Sequence, residues 1–313
     1  MAEHQSESAV AALDCGTNST RLLVASRSGE MLDRQMRVTR LGEGVDTAHK
    51  LAPEAMERTL AVLSDYRKIM DRFGVEKARM VATSAARDAS NSAEFLSAAQ
   101  QVTGVVPELL SGDEEGRLSF RGATADLPDT IAGTAELIVD IGGGSTELVA
   151  GVPGAADDSI TVLSLNIGCV RVTERFFSTD PPAPAEVDKA RDAVAEELER
   201  IRPQFSSVGP GGRLVGLAGT VSTLGSLSIG IADYERDRVH HLVLSSQDVN
   251  TWLGRLAAEP ASERAKRPGM EPGRADVIVG GVLILAEVMA VFGRQNCLVS
   301  EADILDGMVA SLR

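Results

Sequence analysis

Aromatic residues are scarce in this 313-residue chain, where one tryptophan, two tyrosines and seven phenylalanines make up 3% of the sequence. So few rings cannot furnish the stacking platforms that hold unpaired bases, which excludes single-stranded nucleic acid as a main partner. Positive charge is also in deficit, with 31 basic against 45 acidic side chains and a net charge of −14. A surface of that sign repels duplex DNA and anionic lipid. The three cysteines, Cys15, Cys169 and Cys297, include no C-x-x-C pair. Neither a disulfide framework nor a zinc knot is encoded, and the usage fits a reducing compartment. Long apolar runs are missing too. The longest, 277–292, is broken by two glycines and Glu287 and falls short of the ~20 residues that span a bilayer. The first residues, MAEHQSES, lack the basic and apolar regions of a secretory leader. The expected location is the cytoplasm, without a membrane partner.

What is present is an ordinary globular composition, 43% apolar and 24% charged, at a length that suggests two domains. An internal repeat supports that division. Residues 14–25 read DCGTNSTRLLVA and residues 140–151 read DIGGGSTELVAG. Aligned without gaps, they share Asp, Gly, Ser, Thr and Leu at the same offsets, and each lies between short apolar runs. Such runs around a Gly/Ser/Thr turn read as a β-hairpin. Between and after the repeats, strand-like segments (78–83, 105–111, 213–220) alternate with helical spacing (54–70, 92–101, 111–118, 247–258, 277–292). That alternation implies α/β layers. The polar stretch 123–133 is the best boundary, giving domains at 1–127 and 128–299. A C-terminal helix at about 300–313 is expected to return to the first domain.

The two Asp-x-Gly-x-x-Ser-Thr turns carry the chemistry. A glycine turn lets backbone N–H groups converge on an anion, and hydroxyls add donors. An aspartate at the strand end can hold a divalent cation. No Walker A loop and no Rossmann fingerprint occurs. One such turn is more often a tight hairpin, but two, a domain apart, favour a shared anion site. The segment RLVGLAGTVSTL adds a third glycine turn at Gly219 and Thr220, either a plain strand–helix connection or a third phosphate loop. SGDEEGRL reads as a capping box of Ser111 and Glu114, with Asp113 and Arg117 as an i,i+4 pair. Glu115 is left over, and a carboxylate near a phosphate can take a proton from water. Arg87 is either a surface partner of Asp88 or a fork for phosphate oxygens. The basic stretches 34–40 and 264–267 are solvated faces or a local guide for a polyanion. His240 and His241 read as a surface strand rather than a metal site.

These motifs resemble those of the exopolyphosphatase/guanosine pentaphosphate phosphohydrolase family (Ppx/GppA) of the actin-like ATPase superfamily. The carrying segments are ALDCGTNSTRLLV (12–24), TSAARDA (83–89), SGDEEGRL (111–118), LIVDIGGGSTELV (137–149) and GLAGTVSTL (216–224), with RADVIVGGVLILAEVM (274–289) similar to the family's late helix. The resemblance implies an α/β fold of two actin-like (ribonuclease H-like) domains, mixed sheets flanked by helices, with an interdomain cleft. It implies removal of a terminal phosphate from inorganic polyphosphate, chiefly short chains, with Mg2+ or Mn2+. A pppGpp or nucleoside triphosphate phosphohydrolase is the alternative, and a weakly catalytic polyphosphate or (p)ppGpp sensor is another. By the same resemblance, Glu115 is the catalytic base, with Arg87 and Glu147 beside it. Asp140 and Glu147 are metal acids, and Asp14 is a further magnesium candidate. Gly142, Gly143, Gly144, Ser145 and Thr146 form the phosphate loop. Asn18 and Ser19 form the first phosphate turn, and Gly219 and Thr220 the third. Longer members carry a further helical domain that does not follow here, and the Leu-Arg-Glu-Gly stretch common near their C-terminus is Leu305-Asp306-Gly307 in this chain. The apolar segment 277–292 is a candidate contact for a homodimer.

Overall fold

A computed structural model describes residues 9–209 and 211–313, so the polar segment 1–8 lies outside the described residues. The chain forms two units, residues 1–111 with 304–313, and residues 112–303.

In the first unit, β1 (Ala9–Cys15), β2 (Ser19–Ser26) and β3 (Met31–Val38) form an antiparallel meander. A short turn of helix, α1 (Val45–Ala48), precedes the long α2 (Pro53–Arg72). Proline at the first helical position suits the start of α2, where its missing N–H has no partner to lose. Then come β4 (Val75–Ala82), α3 (Ser84–Asp88), α4 (Ser92–Thr103) and the edge strand β5 (Pro107–Leu109). The sheet order is β3-β2-β1-β4-β5, with β1, β4 and β5 parallel. Every residue of β1 is buried. Its odd-numbered residues, Ala9, Ala11, Leu13 and Cys15, join the core under α2 and α4, including Leu63, Tyr66 and Phe95. Period-two alternation sends Asp14 to the other face, where α13 (Ile304–Leu312) packs on β1, β2 and β4.

The second unit opens with α5 (Gly112–Thr124), then β6 (Glu136–Ile141), β7 (Thr146–Gly151) and β8 (Thr161–Leu165). It continues through α6 (Cys169–Phe176), α7 (Pro184–Ile201), β9 (Leu214–Leu217), α8 (Ala218–Ile229) and α9 (Arg236–Val239). The last elements are β10 (Val243–Ser245), α10 (Ser246–Ala257), α11 (Ala261–Arg264), α12 (Ile278–Val291) and β11 (Asn296–Val299). The sheet order is β10-β11-β9-β6-β7-β8. Apart from the antiparallel edge strand β10, it repeats the first unit: a three-stranded meander whose first strand leads by parallel pairing into later strands. The fold class is therefore the one the resemblance implies, two mixed sheets flanked by helices.

One expectation is corrected. The structural division falls at 111/112, not at 127/128, because α5 lies on β7 and β8 of the second unit. A Cβ on Gly112 would sit 2.3 Å from the Ser164 Cβ, and one on Gly116 2.5 Å from Val162 Cγ1. Two glycines four apart on one helix face thus permit a close approach that any larger residue would block. In the apolar helix α12, Ile278, Val279, Val282 to Ala286, Val288 and Met289 are at most 3% exposed in the core of the second unit, which leaves only its C-terminal end, with the exposed Ala290, at the surface. A helix that is apolar all round is a buried one. Among the described residues, no helix is long and apolar enough to cross a membrane.

Candidate functional site

The two hairpins are copies at the level of single hydrogen bonds. In the first, the Gly16 N–H donates to the Ser19 carbonyl at 3.0 Å, and in the second the Gly142 N–H donates to the Ser145 carbonyl at 3.0 Å. In both, the carbonyls of the turn are held from behind. Thr17 O accepts from Gly42 N (2.9 Å), and Asn18 O accepts from Thr39 N and Arg40 N (3.1 and 2.9 Å). Gly142 O accepts from Cys169 N and Gly143 O from Val170 N, each at 2.9 Å. Gly144 O accepts from the buried Arg171 Nε at 2.7 Å. A carbonyl drawn backwards turns the peptide N–H forwards. The amides of Asn18, Gly143 and Gly144 accordingly have no acceptor among the described residues, and neither does that of Thr17. Such outward amides form an anion-binding nest. Gly168 is required behind the second turn, because a Cβ there would lie 2.3 Å from the Gly143 carbonyl oxygen.

The second hairpin's acids face α5. Leu137, Val139 and Ile141 point into the main core while Ile138 joins the small core under Phe120, so alternation puts Asp140 on the α5 side. Glu147 is its partner directly across the ladder. The two carboxylates are 7% and 1% exposed. Ser119 Oγ, one helical turn after Glu115 on α5, donates to Asp140 Oδ2 at 2.7 Å. Ser164 Oγ on β8 donates to Glu147 Oε1 at 2.7 Å. Like charges opposed across strands are destabilising, and hard, buried carboxylate oxygens are the donors that magnesium takes. The donor set therefore fits the cation that the resemblance implies. Glu115 is half-buried on α5, next to Gly116, whose Cβ position lies 3.7 Å from the Glu147 Cβ.

The first hairpin differs at the same register. Arg21 occupies the place of Glu147, directly across from Asp14. Its Nε and Nη2 lie 2.9 and 2.6 Å from Asp14 Oδ2. A guanidinium there holds one oxygen of the carboxylate and disfavours a cation beside it, while the buried Asp14 Oδ1 has no hydrogen-bond partner among the described residues. Asn18 remains a donor: its Nδ2, with Thr17 Oγ1 and Ser84 Oγ, is buried without a hydrogen-bond partner. Ser19 is half-buried at the start of β2. Arg87 donates through Nη1 to the Leu110 carbonyl at 2.8 Å.

Other expectations shift in detail. Thr146 is fully buried and its hydroxyl donates to the Ile167 carbonyl at 2.5 Å, so it is a structural tie. Ser145 is buried at 2% exposure. The third turn is no loop, since the chain passes from β9 straight into α8 at Ala218, held at φ 66°. Gly219 there lies against the Arg274 guanidinium, and Thr220 is buried against Gly281 of α12. Asp113 and Arg117 pair at 2.7 Å. The stretch 264–267 is consumed locally, with Arg264 paired to Asp180, Lys266 to Glu263 and Arg267 to Glu259. His240 and His241 do meet an acid that the sequence did not suggest, Asp126. Glu301 N–H donates to His240 Nδ1 (3.0 Å), which leaves the proton on Nε2, 2.9 Å from Asp126 Oδ2. That tautomer has no lone pair at Nε2 for a metal.

The decisive comparison is of sequence. The model of the Ppx/GppA phosphatase family matches residues 23–313. This chain belongs to that family. Exopolyphosphatase 2 of Mycobacterium tuberculosis is 41% identical, the alignment covering 97% of this chain and 98% of that protein. The Aquifex aeolicus Ppx/GppA family member superposes with a TM-score of 0.80 at 32% identity, covering 97% of each chain. An exopolyphosphatase from Cytophaga hutchinsonii gives a TM-score of 0.87 at 26% identity, again over 97% of each. The sequence did not single out Ser119, Ser164, Arg171, Thr17 or Ser84. Only Ser119 had a signal, its position one turn after Glu115. The others act through contacts distant in sequence.

Proposed function

We propose that this Ppx/GppA protein is a cytoplasmic exopolyphosphatase that hydrolyses the terminal phosphate of inorganic polyphosphate, short chains included, with Mg2+ or Mn2+. The observation that carries the reading is the second unit's hairpin. Its outward amides at Gly143 and Gly144 lie beside two opposed buried carboxylates, and α5 brings Glu115 to the same sheet face. The relatives named exopolyphosphatases support the substrate.

The amides and the hydroxyl donors bind phosphoryl oxygens in place of water. They are already oriented, so little reorganisation is needed as charge shifts in the transition state. Asp140 and Glu147 would hold the divalent cation, which neutralises phosphoryl oxygens when bound. Glu115 takes a proton from the attacking water at its carboxylate oxygen. Phosphoryl transfer asks mostly for position and charge stabilisation, which these fixed turns supply. Within the first unit, Thr17, Asn18 and Ser84 offer a separate set of buried donors.

The test is phosphate release in the presence of Mg2+ from polyphosphates of several lengths, from pppGpp and from ATP. Release from polyphosphate at the highest kcat/KM is expected. Cleavage of pppGpp or ATP with polyphosphate untouched would replace the reading with a nucleotide phosphohydrolase, and binding without any release would make the protein a sensor.

A further inference from the structure

The geometry points to Ser119 and Ser164 as positioning residues for the cation site, a role that rests on the reading of Asp140 and Glu147 as its ligands. Each serine donates one hydrogen bond of 2.7 Å to one carboxylate, Ser119 to Asp140 Oδ2 and Ser164 to Glu147 Oε1. They come from two different elements, one from α5 and one from β8. Ser119 is fully buried. Ser164 has its place only because residue 112 is glycine, whose absent side chain would lie 2.6 Å from the Ser164 Oγ.

A hydroxyl fixes a carboxylate's rotation without adding positive charge. The first hairpin shows the alternative at the same register, where Arg21 holds Asp14 with a guanidinium. Both devices hold one carboxylate oxygen, but a hydroxyl does so without adding a positive charge that repels a metal ion. The two hairpins share a backbone and diverge in this one choice. Second-sphere donors of this kind commonly change metal affinity by about 10- to 100-fold when removed.

The test titrates Mn2+ into the full, substrate-free chain by electron paramagnetic resonance. The native protein is compared with Ser119→Ala, Ser164→Ala, Ser164→Thr and Asp140→Asn, and thermal unfolding is recorded without metal. Each alanine variant is expected to weaken Mn2+ binding by about 10-fold or more, while Ser164→Thr, which keeps the hydroxyl on a strand, stays close to native. In turnover, the alanine variants should need more Mg2+ for half-maximal rate yet recover kcat when it is saturating. Native-like Mn2+ affinity in both alanine variants, with only the melting temperature lowered, would overturn the inference and leave the cation reading intact. Native-like affinity in Asp140→Asn would overturn both.

Discussion

Position 21 and position 147 occupy the same place in two copies of one hairpin, and their difference divides the labour. Arginine at 21 makes Asp14 half of an ion pair, whereas glutamate at 147 sets a second carboxyl group directly across from Asp140. Asp140→Asn is therefore expected to abolish Mn2+ binding and Asp14→Asn to leave it unchanged. Calorimetric titration of each variant checks this, and loss of binding in Asp14→Asn would contradict it. The sequence carried both aspartates and their cross-strand partners in one repeated motif. Arg21 and Glu147 lie at matching offsets, so the contrast was legible in the alignment of the repeats. Ser164 and Arg171 reach the site from later segments, and no local pattern marks them.

At the scale of elements, α5 and the strap from Gly168 to Arg171 decide the site's precision. The helix was legible from its acidic start and apolar spacing. Its allegiance to the second unit was not, because that depends on Gly112 and Gly116 meeting β7 and β8, whose residues come 30 or more positions later. Gly116→Ala is expected to push α5 from the sheet. It should cost about 1–3 kcal/mol of stability and lower turnover, as Glu115 and Ser119 shift together; denaturant unfolding and phosphate release measure the two effects. Arg171 holds Gly144 O from behind. Arg171→Met should free that peptide and lower kcat by about 10²-fold, the size of losing one preorganised donor. An Arg171→Met enzyme with native kcat would show that the loop keeps its orientation unaided. The third turn stayed open between a strand–helix connection and a phosphate loop because a strand-end glycine looks the same in both, and the chain takes the first.

Over the whole molecule, a net charge of −14 opposes a polyanionic substrate, and the basic stretch 264–267 does not relieve it. Its cations are paired with Asp180, Glu263 and Glu259. Lys266→Glu is expected to leave KM for long and short polyphosphates equally unaffected; a selective rise for long chains would identify a guiding surface there. Stability also carries a pH signature. Burial holds the His241 imidazole below its ordinary range, with the neighbouring His240 acting in the same direction and Asp126 against it. The unfolded chain then takes up that proton before the folded one does, so this contribution is complete above the unfolded value near 6.5 and is lost as pH falls below it. The drop in melting temperature between about pH 7.5 and about pH 5.5 should be smaller in His241→Asn, which tolerates the left-handed φ of 64° at that position.

In the proposed reaction Glu115 drives hydrolysis of polyphosphate. Its direct test is phosphate release from polyphosphate by the native protein and by Glu115→Gln, at saturating Mg2+ and with substrate binding measured in parallel. A loss of about 10²–10⁴ in kcat with binding retained is expected. A Glu115→Gln protein that releases phosphate at the native rate would contradict it.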